Sequence, residues 1–362
     1  MEYYSQYNTG KTDEIIKHHQ QIIDNLYKGG ELDKIDDYLM SLAADTAEKN
    51  VNKDGKATPD FNNIEGGPFA AVIVKKDGDR PVIIGVGANH VVPENDPSAH
   101  GEMSAIRDAT ARLGYSDLSG ATLYTSCECC PQCLSSSIAS GITKIIYAND
   151  RFHAAKIGFS DEEQYRYMLD MLSNMTSIEK LSNAKDIVAK LGTHDAMILS
   201  DNGEVVCHAD VNNQSSDPMT TLPSMQAVLK ACKITGNFHL PEGYSLVSHK
   251  IPHPAAFITA DWARIGRVRD KQNPSDPSLD KFKKNPQNII YVENNFEEMM
   301  VTNPSQKNKI AHKSEDIVKV YIHKDAAHIQ IERTSNHEVL KKSLKAFELW
   351  HNLISLNNKA KY

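Results

Sequence analysis

The sequence predicts an α/β protein in which a three-layer α-β-α fold with a mixed central sheet occurs twice in tandem. At 362 residues the chain is long enough for two domains of about 150–180 residues each. Short apolar runs of strand length alternate with segments whose apolar residues recur at helical spacing. Part of this pattern recurs in the second half at an offset of about 122 residues, which indicates a duplication.

The first half supplies one complete set of these elements. Leu39, Leu42 and Ala47 recur at helical spacing, and a polar turn at residues 77–79 separates two apolar runs, as in a β-hairpin. The predicted elements are helices over residues 13–27 and 32–49, strands over 70–75 and 82–87, a helix over 102–113, a strand over 121–125, a helix over 133–140 and a strand over 144–147.

The strongest functional signal is a pair of motifs around His100 and around Cys130 and Cys133. One His and two Cys give zinc three ligands and leave the fourth tetrahedral position for a water, as in catalytic zinc sites. The helix predicted after the cysteine-rich strand end places Cys130 and Cys133 one turn apart at its start. His100 opens a second helix, so we expect two helix starts to converge on one ion.

Glu102 follows the predicted ligand His100 by two residues and is our candidate for the group that moves protons. His-x-Glu combined with Pro-Cys-x-x-Cys is the signature of zinc-dependent deaminases. Other interpretations stay open. The four cysteines between residues 127 and 133 could form a structural zinc site or pack as buried thiols, and His100 could be a lone buried histidine.

The second half repeats the fold signals without the zinc ligands. We therefore expect one zinc per chain, bound in the first half, with the second half as a structural or gating partner. Short apolar matches also arise by chance between unrelated α/β domains. At the repeat offset, His100 projects onto Leu222, Glu102 onto Ser224, Cys130 onto His253 and Cys133 onto Ala256.

These patterns divide the chain into three parts. Residues 1–35 are predicted to be an N-terminal helical extension, residues 36–176 the zinc domain, and residues 177–362 a degenerate second domain with a C-terminal tail. Within the second domain, residues 269–287 are rich in Pro, Asn, Ser, Asp and Lys and lack periodicity. This segment is typical of an inserted surface loop.

Charge and cysteine content limit the partners. Residues 1–176 contain 16 Lys or Arg and 26 Asp or Glu, a net charge of −10, compared with −7 for the whole chain. A nucleic-acid substrate favours a basic surface beside the metal, so this composition argues for a small uncharged base instead. No secretory signal or membrane-spanning run is visible, and four of the six cysteines are clustered. We therefore expect a cytoplasmic location and no membrane partner.

Several stretches within residues 36–168 resemble the bacterial-type guanine deaminases of the cytidine deaminase superfamily. The similar stretches are residues 66–69, 95–97, 123–128 and 154–159. The resemblance implies a cytidine-deaminase-like fold, a Zn²⁺ cofactor and hydrolytic deamination of the purine base guanine to xanthine and ammonia. It also implies that Asp161, in a Gly-Phe-Ser-Asp stretch, is a substrate-binding acid.

A second similarity lies at the far end of the chain. Residues 346–350 and the final Tyr362 resemble that family's C-terminal helix and terminal tyrosine. In the family, this segment crosses to the partner subunit of a domain-swapped dimer and closes over its active site. The resemblance therefore implies an intramolecular pseudo-dimer with Tyr362 as a lid over the first domain's pocket. A frayed end is the alternative for Tyr362, and assembly into a higher homo-oligomer stays open.

Three positions depart from the family's pattern. Gly101 replaces Ala, Cys129 replaces Pro and Ala139 replaces Trp. Gly101 contributes mainly backbone. Cys129 adds a thiol next to Cys130, although the following proline favours Cys130 as the ligand. Trp262 lies at the position of the second half that corresponds to Ala139, and it can compensate only if its ring faces the same pocket.

The expected substrate contacts surround the predicted zinc. Asn89, at a strand end, can donate to and accept from the base edge, or it can cap a turn. Asp161 can accept from ring N–H groups, or it can cap the following helix. Phe69 stacks on the base or belongs to the core, and Gly101 offers its backbone to the substrate.

Two other functions stay open. The same zinc chemistry could act on guanosine, cytosine, another aminated heterocycle or a tRNA adenosine, which a substrate panel would separate. A deaminase-like scaffold could instead bind a protein partner through its acidic surface and N-terminal extension. The presence of all three ligands together with Glu102 argues against the scaffold, because a scaffold need not keep all four residues.

Overall fold

The computed structural model describes residues 10–55, 64–169, 176–177, 184–212, 216–265, 267–269, 282–284, 289–293, 295–303, 306–310 and 329–356. Tyr362 and most of the predicted loop at residues 269–287 lie outside these ranges.

The described helices and strands alternate along the chain. The helices are α1 (Gly10–Lys28), α2 (Asp33–Val51), α3 (Val91–Glu94), α4 (Gly101–Leu113), α5 (Pro131–Ala139), α6 (Arg151–Lys156), α7 (Glu162–Leu169), α8 (Ala184–Leu191), α9 (Pro223–Thr235), α10 (Pro254–Trp262) and α11 (His337–Leu356). The strands are β1 (Gly67–Asp77), β2 (Arg80–Asn89), β3 (Thr122–Cys127), β4 (Lys144–Asn149), β5 (Thr176–Ser177), β6 (Ala196–Leu199), β7 (Val205–Ala209), β8 (Ser245–Ser248), β9 (Arg267–Arg269), β10 (Phe282–Lys284), β11 (Ile289–Tyr291), β12 (Met300–Asn303), β13 (Gln306–Ile310) and β14 (Gln330–Arg333).

Two five-stranded mixed sheets organise the fold. The first has the order β14-β4-β3-β1-β2 and the second the order β5-β11-β8-β6-β7. In the first sheet, β1 is antiparallel to both β2 and β3, whereas β3, β4 and β14 run parallel. The second sheet has the same series of strand directions. The predicted mixed α/β fold is confirmed, and the shared strand directions are the pattern that a duplication would leave.

Helices cover both faces of the first sheet. On one face, Val72 packs in a core cluster with Leu39 of α2. On the other face, Ile73 packs in a cluster with Ile106 of α4, because neighbouring residues of a strand point to opposite sides. The second cluster continues into the other half of the chain through Leu222 and its neighbours on α9 and α10. The two halves therefore share one apolar core between their helical layers.

The C-terminal segment belongs to the first sheet, although the sequence analysis grouped residues 177–362 as one domain. Strand β14 pairs in parallel with β4, with Ile331 opposite Ile145. The equivalent edge of the second sheet, beside β11, is occupied by β5 from the segment after the first half. The first sheet thus takes its fifth strand, β14, from the segment after the second half. The second sheet takes its fifth strand, β5, from the segment after the first half. Composition and periodicity cannot reveal this exchange, because it depends on which sheet edge is free.

Two glycines of β2 bring α4 unusually close to the first sheet. A Cβ atom on Gly87 would lie 2.1 Å from the backbone nitrogen of Ala105, and one on Gly85 would lie 2.5 Å from the carbonyl oxygen of Ala105. Only glycine permits this approach. Because α4 begins beside His100 and Glu102, these contacts set the depth of both side chains against the sheet.

Two further features bear on the predicted domain boundaries. Helix α1 is integrated into the first domain, because the Gln20 side chain accepts a hydrogen bond from Ile83 N at 2.8 Å and donates one to Pro81 O at 3.0 Å. These bonds cover the edge strand β2. At the predicted loop of residues 269–287, strand β9 pairs antiparallel with strand β10, which the polar composition did not indicate. None of the described helices combines the length and the apolar character that crossing a bilayer requires.

Candidate zinc and substrate site

Two helix starts bring three predicted zinc ligands together. His100 is the N-cap residue of α4 and Cys130 is the N-cap residue of α5, while Cys133 lies one turn into α5. The Nδ1 atom of His100 lies 3.4 Å from Sγ of Cys130 and 3.6 Å from Sγ of Cys133, and the two sulfurs are 3.5 Å apart. Within the described part of the chain, this is the one group of such side chains close enough to hold an ion.

These separations fit a zinc ion. Tetrahedral zinc with Zn–S of about 2.3 Å and Zn–N of about 2.0–2.1 Å separates nitrogen from sulfur donors by roughly 3.5 Å and two sulfurs by roughly 3.8 Å. Although burial opposes it, hydrogen bonding from Cys133 and the charge of His100 lower the pKa of Cys130, which favours the thiolate needed for ligation. His100, Cys130 and Cys133 would therefore hold zinc and leave one coordination position open.

Cys129 does not join this group. It is buried in the apolar cluster that lies behind the site, and burial raises the pKa of its thiol. The neighbouring Cys127 is also buried, and its thiol donates to the carbonyl oxygen of Asp150 at 3.8 Å. A four-thiolate structural zinc site is therefore absent from this region, which the structure describes in full.

Glu102 lies beside the ligand group on the first turn of α4. Its Oε1 accepts a hydrogen bond from Thr125 Oγ1 of β3 at 2.9 Å, and the side chain is buried. Burial raises the pKa of the Glu102 carboxyl. The carboxyl group is thus held in a fixed direction, close to the ligands and shielded from bulk water.

A cavity of about 420 Å³ opens in front of these residues, within the range usual for small-molecule sites. Residues of the first half that line it include Phe69, Asn89, His100, Glu102, Cys130, Asp161 and Gln164. Asp161 directly precedes α7 and is buried, and burial raises the pKa of its carboxyl. Asn89 is held by its backbone, whose carbonyl accepts from Asn50 Nδ2 at 2.9 Å.

The C-terminal helix supports the apolar wall of this cavity. Phe69 makes edge-to-face contacts with Phe159 at 4.8 Å and with Phe347 of α11 at 5.4 Å between ring centroids. Ser343 of α11 donates to the carbonyl oxygen of Ser126 at 2.7 Å. Phe69 is therefore both a cavity-lining residue and part of an aromatic cluster. Tyr362, expected as the lid, lies outside the described residues.

Gly101 does not line the cavity. It is buried against β1, and a Cβ atom at this position would lie 2.8 Å from Cα and 2.9 Å from the backbone nitrogen of Ala70. The backbone contact with substrate expected for Gly101 therefore stays a prediction. In the structure its main consequence is the close approach of the start of α4 to the sheet.

The second half of the chain completes the cavity. Trp262, at the end of α10, packs edge-on against the His100 ring at 5.6 Å between centroids, so it meets the condition of facing the same pocket. Sequence reasoning missed the other contributors, Phe238, His239 and Arg264. The unusual backbone of Arg264 is visible only in the structure. Its φ is 66°, a conformation in which glycine is usual after a helix.

The position that corresponds to zinc in the second half is taken by a carboxylate. Leu222 and His253 are the N-cap residues of α9 and α10, as the projection from His100 and Cys130 predicts. Between the two helix starts, Glu297 accepts hydrogen bonds from Ser224 Oγ at 2.6 Å, Ser224 N at 3.2 Å and His253 N at 3.5 Å. The Glu297 carboxyl thus accepts from backbone N–H groups at both helix starts and joins these helices where the first half would use a metal.

Comparison with known proteins agrees with this geometry. Residues 33–149 match the family model described as the cytidine and deoxycytidylate deaminase zinc-binding region. The guanine deaminase of Bacillus subtilis strain 168 is 46% identical over 101 residues, which are 28% of this chain and 62% of the relative. The tRNA-specific adenosine deaminase of Aquifex aeolicus is 38% identical over 91 residues, which are 25% of this chain and 58% of that protein.

Among solved structures, the guanine deaminase of Bacillus subtilis is 39% identical, with 36% of this chain and 74% of the other covered and a TM-score of 0.31. The chain spans about three fifths of the length of these two curated relatives. The matched segment contains His100, Glu102, Cys130 and Cys133. Residues 33–149 therefore match the zinc-binding region of the cytidine and deoxycytidylate deaminases.

Proposed function

We propose that this protein is a zinc-dependent hydrolase that deaminates a free purine base, converting guanine and water to xanthine and ammonia. The observation that carries the proposal is the placement of the His100, Cys130 and Cys133 group beside the buried carboxyl of Glu102 in one cavity. Similarity to proteins named guanine deaminase supports the choice of base. The cavity offers polar groups at several points for recognition of a base edge.

The residues of the chain have distinct tasks in this reaction. When bound, zinc supplies Lewis acidity that makes a water nucleophilic near neutral pH. Glu102 accepts a proton as the water oxygen bonds to C2 of the base, and it delivers that proton to the adjacent ring nitrogen. It then transfers the second proton of the water to the amino group, and the C–N bond breaks with release of ammonia. The hydrogen bond from Thr125 keeps the carboxyl group directed toward these atoms.

Three residues orient the base in this proposal. The Asn89 amide donates to and accepts from the base edge, and Asp161 accepts from a ring N–H group. Phe69 packs on the ring face, and Trp262 of the second half limits the pocket on the side of His100. Tyr362 stays a predicted lid. Gly101 acts through the position that it gives to α4.

A substrate panel tests the proposal. We expect ammonia release from guanine to exceed that from guanosine, cytosine, adenine and a tRNA anticodon stem-loop. Preference for another member of the panel would keep the zinc chemistry and replace the substrate. Absence of turnover with the whole panel, in protein shown to contain zinc, would favour the scaffold interpretation.

A substitution assigns the proton transfer to Glu102. Glu102→Gln should lower kcat by at least about 100-fold while the zinc content by mass spectrometry stays at one per chain. Glu163→Gln serves as the matched control, because Glu163 also lines the cavity but is exposed. Retention of most activity by Glu102→Gln would remove this residue from the mechanism. Retention of zinc after Cys130→Ala with Cys133→Ala would refute the ligand assignment.

A further inference from the structure

A glutamine between the two halves has a side-chain oxygen that receives no hydrogen bond from the described residues. Gln164 lies on α7, three residues after Asp161, and it lines the cavity. Its side chain is 2% exposed. The amide nitrogen Nε2 donates to Oδ2 of Asp261 in the second half at 2.7 Å. No donor in the described part of the chain lies within hydrogen-bonding distance of its Oε1.

The orientation of this amide follows from chemistry. The Asp261 carboxylate can only accept hydrogen bonds, so it fixes the NH₂ group of Gln164 on its own side. The carbonyl oxygen Oε1 therefore points away from Asp261. Asp261 is itself buried, which keeps water from competing for this contact. A buried acceptor without a partner is costly to a fold, and such atoms are rare enough in proteins to require an explanation.

The position of the Gln164 side chain in the cavity lining suggests a hydrogen-bond partner for Oε1. Asp161, which directly precedes α7, and Gln164 on the first turn of α7 are three residues apart, and both line the cavity that Glu102 also lines. Both present acceptors, whereas a free purine base carries ring N–H donors in its six-membered and its five-membered ring. A base substituted at one of these nitrogens, as in a nucleoside, has lost a donor and would leave one acceptor unpaired.

We propose that Gln164 is a specificity-determining residue that accepts a hydrogen bond from a ring N–H of the base, and that Asp261 is its positioning residue. This inference rests on the proposed function and assigns the site to free bases rather than to N-substituted ones. It also gives the second half a part in recognition, because Asp261 is adjacent to Trp262 at the end of α10. The same helix end thus supplies the ring beside His100 and the carboxylate that orients Gln164.

Substitution of Gln164 combined with base analogues tests this role. Gln164→Leu should raise KM for guanine by roughly 10- to 100-fold with kcat changed less than about threefold, since the lost bond serves binding. The measurement is repeated with 1-methylguanine, 7-methylguanine and 9-methylguanine. For the analogue methylated at the contacted nitrogen, wild-type protein and Gln164→Leu should have equal KM. Gln226→Leu, an exchange on α9 remote from the cavity, is the matched control.

Asp261→Asn keeps the side-chain volume and provides the second variant. It allows the Gln164 amide to exchange the positions of its oxygen and nitrogen, so we expect about a three- to tenfold rise in KM for guanine. In the Gln164→Leu background we expect no further effect. Calorimetric titration of guanine into the Glu102→Gln background gives a readout that does not depend on turnover. Its dissociation constant should rise by the same factors.

Three outcomes would overturn the inference. They are an unchanged KM in folded Gln164→Leu, an equal loss with guanine and with all three methylguanines, or additive effects of the two substitutions. Failure of the proposed function is a separate result: the wild-type protein would then turn over a different base or none. If the protein turns over a different base, the same variants are measured with that base and its N-methyl derivatives. If it turns over none, the calorimetric titration alone tests the role of Gln164.

Discussion

The guanidinium Nε of Arg107 in the first half lies 3.4 Å from a carboxylate oxygen of Asp217 in the second half, and both side chains are buried. Arg107 also contacts Asp96 at 3.2 Å and donates to Ser98 Oγ at 2.8 Å. Asp96 and Asp217 each precede a proline, so one arginine pairs with the same dipeptide of both halves. The chain segment that leads to His100 is thereby tied to the second half.

This ion pair predicts that the halves are energetically coupled. Asp217→Asn should lower the free energy of unfolding by about 3 kcal/mol, because it leaves the buried charge of Arg107 with one carboxylate instead of two. Urea unfolding followed by circular dichroism measures the effect. Asp45→Asn is the control, because the Asp45 pair with Lys342 is exposed and should contribute less than about 1 kcal/mol. Equal effects of the two substitutions would contradict the coupling.

Gly101 provides a test of the close approach between α4 and β1. Gly101→Ala would place a methyl group 2.8 Å from Cα of Ala70, so the start of α4 must move outward by several tenths of an ångström. We expect a stability loss of about 1–3 kcal/mol and weaker zinc binding, since His100 immediately precedes this residue. Competition with a chromophoric chelator measures the zinc affinity. Unchanged affinity and stability would show that the backbone adjusts without moving His100.

The grouping of His100, Cys130 and Cys133 and most elements of the first half could be predicted from the sequence because their signals are local. The spacing of Cys130 and Cys133 requires only one helical turn, and the two apolar runs on either side of a polar turn place β1 and β2 within a few residues of their observed ends. The convergence of His100 on the two cysteines followed from the assumption that both open helices, which the structure bears out.

Features that depend on how the halves meet could not be predicted in this way. The contact of Gln164 with Asp261 joins residues 97 positions apart, and neither sequence neighbourhood identifies its partner. The return of β14 to the first sheet depends on β5 already occupying the edge of the second. Glu297 lies far from Ser224 in sequence, and its role follows only from the meeting of two helix starts. Tertiary packing decides all three.

Glu297 predicts a pH dependence of stability. Burial raises the pKa of its carboxyl from 4.5 to about 7, opposed by the hydrogen bonds from Ser224 and His253 and reinforced by Asp195. Burial lowers the pKa of His253 to about 3, so that ring stays neutral across this range. Because the folded state holds its proton more tightly, the contribution of Glu297 is fully present below pH 4.5. It is lost as pH rises through about 7, by roughly 3 kcal/mol in total.

Glu297→Gln should remove this part of the pH dependence, since an amide does not titrate in the range. Thermal unfolding between pH 5 and pH 8 measures the slope. The exposed Glu204→Gln variant is the control and should retain the wild-type slope. An unchanged slope in Glu297→Gln would assign the pH dependence to other groups.

The hydrogen bonds of Ser343 help to hold α11, the C-terminal helix, against the first half. The side chain is fully buried, donates to the carbonyl oxygen of Ser126 at 2.7 Å and accepts from Asn149 Nδ2 at 2.8 Å. Both partners lie near the ends of β3 and β4, beside the loop that carries Cys130. Ser343→Val should leave these groups unpaired and destabilise docking of α11 by about 2–4 kcal/mol.

Because Phe347 on the same helix supports Phe69, we also expect KM for the base to rise. Limited proteolysis, read by mass spectrometry, should then cleave first within residues 329–356. Ser355→Ala is the matched control, because its hydroxyl donates to the carbonyl oxygen of His351 within the exposed end of the helix. Equal resistance of the two variants to proteolysis would mean that apolar contacts alone hold the helix in place.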